Sequence, residues 1–422
     1  SDSRLKHAVA YAPIPIPGIS LSTTTDEQTA GDLVNPIRAT EDNDRLQERK
    51  NYNINGSFAW QIIDPLKFTT SFTVDNYYYE DNRFYGVTTY KARDRSPAFP
   101  NQPSALFRDR KEVRLRSTNL INYDILKTQS QNLNIMLGQE VLFSQSSQLE
   151  YEIQGYPVLF TADDAFKLTT QGTSIYADNF QNADDKLLSF FTRVNYDLND
   201  KYLLSAVYRA DGSSRFLGDN VWGFFPSLSG GWKISEESFM SGVSSWVNLL
   251  KLRASYGIAG NNNIPTAQTV QAYFSRSTNY VNNVNSYWAP SSTLANSDLR
   301  WETTETKNIG LDFGLIKGRV NGTVELYQNN TRDLLVRFPI GSGGYEDQYR
   351  NIGETENKGV EFSLGLIPLD KKDYGVNVNF NIAFNQNQIK SLGTLDMIEG
   401  QSVTTNWAST QIPSDYVARV GD

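Results

Sequence analysis

Across about a dozen extended segments of this chain, apolar and polar residues alternate with a period of two, and the charges fall on the polar phase. Between Asn53 and Ile62, Ile54, Gly56, Phe58, Trp60 and Ile62 share one face, and Asn53, Asn55, Ser57, Ala59 and Gln61 share the other. Leu66, Phe68, Thr70, Phe72 and Val74 then alternate with Lys67, Thr69, Ser71, Thr73 and Asp75, and only Ile63-Asp64-Pro65 separates the two runs. That spacing predicts a hairpin with a short turn.

Five further pairs follow the same rule: Val113 to Ile125 with Leu133 to Phe143; Leu188 to Leu198 with Tyr202 to Ala210; Leu228 to Ile234 with Leu250 to Ile258; Ile309 to Leu315 with Val320 to Leu326; and Val360 to Leu366 with Tyr374 to Phe384. Through their central stretches the apolar phase carries no charge, whereas Lys67, Arg114, Arg116, Glu140, Arg193, Arg209, Lys251, Arg253, Asp312, Glu325 and Glu361 all lie on the polar phase. A soluble sandwich also alternates, but its strands average about 5–6 residues. Several runs here reach the ~9–11 needed to cross a bilayer at a tilt. The connections also alternate between short turns and the long stretches Tyr77–Lys111, Ser144–Lys186, Ala259–Arg300 and Gln328–Lys358, all on one side. Membrane barrels have this asymmetry. The expected fold is therefore all-β: a transmembrane antiparallel up-and-down β-barrel, with about 12 strands supplied by residues 1–422.

Composition agrees without deciding. A chain that is 39% hydrophobic, with a mean hydropathy of −0.47, contains no long apolar run of the kind a membrane-spanning helix needs. In a barrel only alternate residues meet lipid, so a low mean is expected, and the 23 Tyr and 22 Phe suit interfacial girdles. With no cysteine there is neither a disulfide framework nor a thiolate site. A net charge of −8 argues against nucleic acid, which calls for a basic stripe. The single histidine, His7, stands in a loop-like stretch ending in Pro13, Pro15 and Pro17, so no enzyme activity, cofactor or metal is expected. The acidic runs Glu41 to Asp44, Asp163-Asp164 and Asp184-Asp185 lack EF-hand spacing and read as solvated loops. Gly341 to Gly344 has no following Lys-Ser or Lys-Thr and reads as a hairpin tip.

Specific stretches narrow the choice. Tyr208 to Phe216 (YRADGSSRF), Trp222 to Ser227 (WGFFPS), Gly231 to Glu237 (GWKISEE), Leu250 to Asn261 (LKLRASYGIAGN), Leu299 to Thr303 (LRWET), Asn308 to Phe313 (NIGLDF) and Asn351 to Phe362 (NIGETENKGVEF) resemble, in family order, the barrel of SusC/RagA-like TonB-dependent transporters of Bacteroidetes. The resemblance implies a fragment of a barrel of about 22 strands in a Gram-negative outer membrane, filled by an N-terminal plug. It also implies a SusD/RagB-like surface lipoprotein as partner, TonB-ExbB-ExbD acting through the plug, and a dimer of transporter–lipoprotein pairs. No plug, TonB box, signal peptide or terminal aromatic strand is visible, so the chain reads as an internal piece of something longer.

Most motif residues have structural readings. Arg209, Asp211, Gly212 and Arg215 suggest an ion-paired turn in which Gly212 supplies positive φ. Trp222, Phe224, Phe225 and Pro226 suggest interfacial aromatics, Ser235 to Met240 a short capped helix, and Trp301-Glu302 the anchor of a long loop. The polar-phase cations Arg114, Arg116, Arg193, Arg209, Lys251 and Arg253 read as partners of a plug or of Glu140 and Asp197, or as an anion-attracting wall. For a ligand, the expected contacts are loop aromatics and a cation: Tyr280, Tyr287, Trp288, Tyr345, Tyr349 and Arg350. The expected function is TonB-dependent import of oligosaccharides or oligopeptides; an adhesive surface barrel and a passive porin are the alternatives.

Overall fold

The structure, a computed structural model, describes residues 36–89, 91–92, 99–277, 286–394, 397–398 and 418–421. In chain order the strands are β1 (Asn43–Ile63), β2 (Leu66–Tyr85), β3 (Ser104–Lys127), β4 (Gln131–Gln154), β5 (Thr173–Gln181), β6 (Asp185–Leu198), β7 (Tyr202–Ser213), β8 (Trp222–Lys233) and β9 (Val247–Asn261). They continue with β10 (Tyr273–Ser277), β11 (Ser286–Pro290), β12 (Thr293–Leu294), β13 (Glu302–Leu315), β14 (Val320–Ser342), β15 (Tyr345–Asp370), β16 (Gly375–Leu392), β17 (Met397–Ile398) and β18 (Ala418–Arg419).

All twelve strands expected from the alternation form, and they join one sheet in the order β1-β2-β3-β4-β6-β7-β8-β9-β13-β14-β15, with β16 on β15 and β5 on β4. From β6 to β16 each pairing of these long strands is antiparallel. Among the described residues the sheet is open, and β10–β11 and β17–β18 form two separate small sheets. The long strands span 12 to 26 residues, enough in every case to cross a bilayer.

Several strands run beyond their alternating cores. The Gln328–Lys358 segment, expected as a loop, is instead the paired extension of β14 and β15, closed at Gly343 and Gly344 with φ of 68° and 83°. Backbone pairing needs no particular side chains, so the ladder continues through the polar stretch 328–333, and an apolar alternation resumes at Leu334, Val336, Phe338 and Ile340. The short turns match expectation: Asn199 and Asp200 adopt φ of 55° and 54° between β6 and β7, the left-handed pair that suits a right-twisted hairpin.

The chain divides into two compact units. One comprises the described residues up to Asn55 together with Thr73–Leu115 and Ser144–Asp184. Its core is Phe84, Ala105, Phe107, Ile153, Tyr156 and Ala165, with Phe107 stacked on Tyr151 at 4.7 Å. Burial pushes the Tyr156 phenol up to about 12, and its hydroxyl donates to the Ala165 carbonyl. The nearly fully buried Asp81 carboxylate accepts hydrogen bonds from Arg45 and Arg83. The short helix Ala162–Lys167 opens on a capping box between Thr161 and Asp164, which employs one of the acidic runs structurally.

The second unit comprises Gly56–Phe72, Arg116–Phe143 and the chain from Asp185 on. Here register lines up Tyr196, Leu204, Gly230, Ala254, Ile309, Leu326, Val360 and Phe384 across eight strands, an unbroken row without a charge. No second layer covers this row among the described residues: Leu204, Ile309, Leu326 and Phe384 are 48–65% exposed. So large an apolar face would be a liability in water and is the expected surface in lipid.

Candidate functional site

The opposite face of the second unit is polar, and two of its arginines, Arg209 and Arg253, are ion-paired. Arg209, on β7, places Nε 2.8 Å from both Asp211 oxygens, donates to Ser189 Oγ at 2.8 Å and reaches Glu140 at 3.4 Å. Arg253, on β9, bridges Asp312 of β13 at 3.1 Å and Glu325 of β14. The ion-paired reading of these two cations therefore holds. Glu140 serves as expected, whereas Asp197 accepts the backbone N–H of Asp200 and fixes its turn instead. In the first unit, Arg114 pairs with Glu112.

The polar face of the second unit also holds a recess of about 700 Å³, lined by Asn134, Asn195, Asp197, Ser229, Lys251 and Arg253 among others. Its β7–β8 side carries small residues, Ser205, Ser229, Gly230 and Gly231. The wall thus presents amides, hydroxyls and both signs of charge, groups able to hydrogen-bond a polar ligand or polypeptide.

The long loops are rooted in a packed knot. Phe216, Phe225, Ile264, Leu299 and Trp301 are all buried, with Leu187, Ile258, Leu335 and Tyr349 against them. Trp301 lies edge-on to Phe225 at 5.3 Å and donates from Nε1 to the Val221 carbonyl at 3.1 Å. Arg215 clamps the knot: Nη2 meets Asp185 at 2.6 Å, and Nη1 donates to the carbonyls of Asn262 and Ile264. Trp301 is thus a loop anchor, as expected, but in a packed cluster and not at an open interface. The Asp185–Arg215 pair was not foreseen: Asp185 reads in sequence as part of a solvated acidic run, and its partner stands 30 residues on.

Three motif expectations are corrected. Gly212 has no positive φ; it sits in β7 opposite Trp222, whose ring comes within 3.1 Å of where a Cβ would stand. Phe225 is buried, while Trp222 and Phe224 face outward as expected. The Ser235–Met240 stretch forms two 3₁₀ turns without a side-chain cap, because Glu237 binds elsewhere. Its Oε1 accepts Trp232 Nε1 at 3.0 Å and Tyr202 Oη at 2.5 Å, and Oε2 meets Lys201 at 3.3 Å.

Of the proposed ligand contacts, Tyr280 lies outside the described residues. Tyr287 and Trp288 lie on β11, in register with Arg276 and Ser275 of β10, and Trp288 is 73% exposed. Tyr345 opens β15 beside the Gly343–Gly344 turn, Tyr349 packs on the loop knot, and Arg350 lies over the Phe338 ring at 4.3 Å. Trp288 is therefore open to a ligand, whereas Tyr349 and Arg350 have structural employment.

Comparison with known proteins fits this wall. The family described as "TonB dependent receptor-like, beta-barrel" matches residues 9–418. The chain is 41% identical over 211 residues to TonB-dependent receptor SusC of Bacteroides thetaiotaomicron, covering 49% of this chain and 21% of that protein. It is 37% identical over 258 residues to TonB-dependent receptor P39 of Formosa agariphila, covering 61% and 24%. A solved structure of the RagAB peptide transporter superposes with a TM-score of 0.77 at 23% identity, covering 92% of this chain and 40% of that one, which shows the shared fold. The aligned regions thus make up only about a quarter or less of those two relatives. On the family match over nearly its whole length, together with a sheet that is apolar on one face and ion-paired on the other, this chain belongs to the TonB-dependent receptor β-barrel family.

Proposed function

We propose that this chain is part of the wall of an outer-membrane importer for oligomeric nutrients, driven by TonB and paired with a surface lipoprotein. The observation that carries the reading is the two-faced sheet: an uncharged row across eight strands backs onto a face of amides and ion pairs, as a barrel between lipid and an aqueous interior requires. The relatives support it, being TonB-dependent receptors by name, and the RagAB structure is titled a peptide transporter. Oligosaccharides and oligopeptides both suit the polar wall, since Asn and Ser can bond hydroxyls or peptide groups alike. In this reading the chain performs no covalent chemistry.

The test is uptake by cells carrying the whole protein. Import should stop when TonB is deleted or the proton-motive force collapses, while binding at the surface persists. Uptake that continues unchanged would make the protein a passive porin, and binding without uptake an adhesin.

A further inference from the structure

The outward face changes chemistry part-way along the sheet. On β7–β9 the residues flanking the apolar rows are aromatic: Tyr208, Trp222, Phe224 and Tyr256, all 39–56% exposed. Tyr256 is in register with Lys307 of β13, and there the aromatics end. Two residues beyond the apolar row Ile309–Leu326–Val360–Phe384 comes Lys307–Gln328–Lys358–Gln386, and two further Glu305–Asn330–Glu356–Gln388. Strand alternation puts both rows on the same outward face as the apolar one.

The charges in these rows are layered. Glu356 is the node: Lys390 meets it at 3.0 Å, Lys358 at 3.4 Å, and Gln328 donates to it at 2.8 Å. Lys307 meets Glu305 at 2.8 Å. The two carboxylates are largely covered, with side chains 14% and 22% exposed, whereas Lys307, Lys358 and Lys390 are 52%, 51% and 38% exposed. Three ammoniums thus stand outside two carboxylates and leave a positive outer surface, flanked by Gln386 and Gln388.

We propose that this lysine rim, at the long-loop end of β13–β16, which faces the exterior in outer-membrane barrels, binds the phosphate of an anionic lipid in the outer leaflet; the inference rests on the membrane reading above. Register sets the height, because the rim begins where the lipid-facing row stops, at the level of an interfacial tyrosine, and headgroups lie there. Chemistry sets the ligand: Lys is a point-charge partner for phosphate, and neighbouring amides can bond ester or sugar oxygens. The carboxylates beneath hold the lysines in one arc.

The experiment uses the whole transporter with its lipoprotein in phosphatidylcholine nanodiscs, titrated with phosphorylated lipid A or its dephosphorylated form and read by native mass spectrometry. The natural protein should retain phosphorylated lipid A, and K307Q/K358Q/K390Q should lose about tenfold or more in affinity, while K307R/K358R/K390R retains it. Should the Gln triple fail to assemble, the charge-balanced form that also carries E305Q and E356Q is measured in its place. Equal retention of dephosphorylated lipid, or unchanged affinity in an assembled Gln variant, overturns the proposal. Release by millimolar inorganic phosphate overturns it as well, by showing a free-anion site. An assembled barrel without lipid-phosphate dependence leaves the import reading standing, whereas absence of the protein from the outer membrane removes both.

Discussion

A Cβ on Gly310 would lie 2.7 Å from the guanidinium carbon of Arg253, the residue directly opposite it across β9 and β13. The bare backbone at Gly310 is the path by which Arg253 reaches Glu325 on the strand beyond. Glu325 in turn faces Glu361 in register on β15, a like-charge pair that Arg253 offsets. Gly310→Ala should therefore push the guanidinium aside and weaken the barrel by about 1–2 kcal/mol, read as a lower midpoint in heat-modifiability gels. Pairing Arg253→Met with Glu325→Gln should recover part of what Arg253→Met alone loses. A Gly310→Ala protein as heat-resistant as the natural one would show that the bridge contributes nothing.

Phe380 and Asn381 are neighbours on β16 with opposite surroundings. Phe380 is 50% exposed in the apolar row Leu250–Phe313–Gly322–Leu364–Phe380, and Asn381 stands in the polar row of Asp312, Thr323 and Ser363. Charge facing lipid costs about 2–4 kcal/mol near the midplane. Phe380→Arg should thus sharply reduce folded protein in outer-membrane fractions, and Asn381→Arg should not. Equal loss in both would mean that the two faces are assigned wrongly.

Arg215 is the latch of the loop knot, since one guanidinium holds Asp185 and two backbone carbonyls at once. Arg215→Met keeps the stem but strands those acceptors, each a penalty of about 1–3 kcal/mol where buried. Trp301→Ala empties the knot itself, and loss of a buried Trp costs about 3–5 kcal/mol. Both variants should still form heat-modifiable barrels, yet be cut faster by trypsin or chymotrypsin between Asn262 and Arg300. Cleavage at the natural rate would show that the loops are held by other contacts.

How much of this could be seen beforehand differs by element. The twelve strands were legible because the bilayer imposes a period of two, which survives in Leu66 to Val74 or Val360 to Leu366 whatever the neighbouring strands do. The strand ends were not, since hydrogen bonding carries β14 and β15 through the polar stretch 328–333 and past the register shifts at Thr331/Leu334 and Leu334/Leu335 to Ser342 and Tyr345. Nor was the knot. Trp301 bonds Val221, 80 residues away, and nothing local to either residue announces the other. Gly212 misled because turn chemistry and close approach to a Trp ring call for the same residue. At Glu237, an acidic residue beside serine suggested a helix cap, but the partner chosen was Trp232 on the preceding strand.

The Glu237 brace gives the short-turn side a defined response to acid. Hydrogen bonds from Tyr202 and Trp232, with a smaller contribution from Lys201, hold the Glu237 carboxyl below its ordinary value despite some desolvation. A depressed folded value means that the unfolded chain takes up the proton first as pH falls. The brace is therefore fully present above the unfolded value of about 4.3 and is lost as pH drops through the lower folded one. Thermal midpoints of the natural protein should fall more steeply below about pH 4.3 than those of Glu237→Gln, which keeps an acceptor but does not titrate. At neutral pH the Gln variant should be the less stable of the two, because its bonds from Lys201 and Tyr202 no longer reach a charge. Parallel curves across the acid range would show that Glu237 takes no part in the acid response.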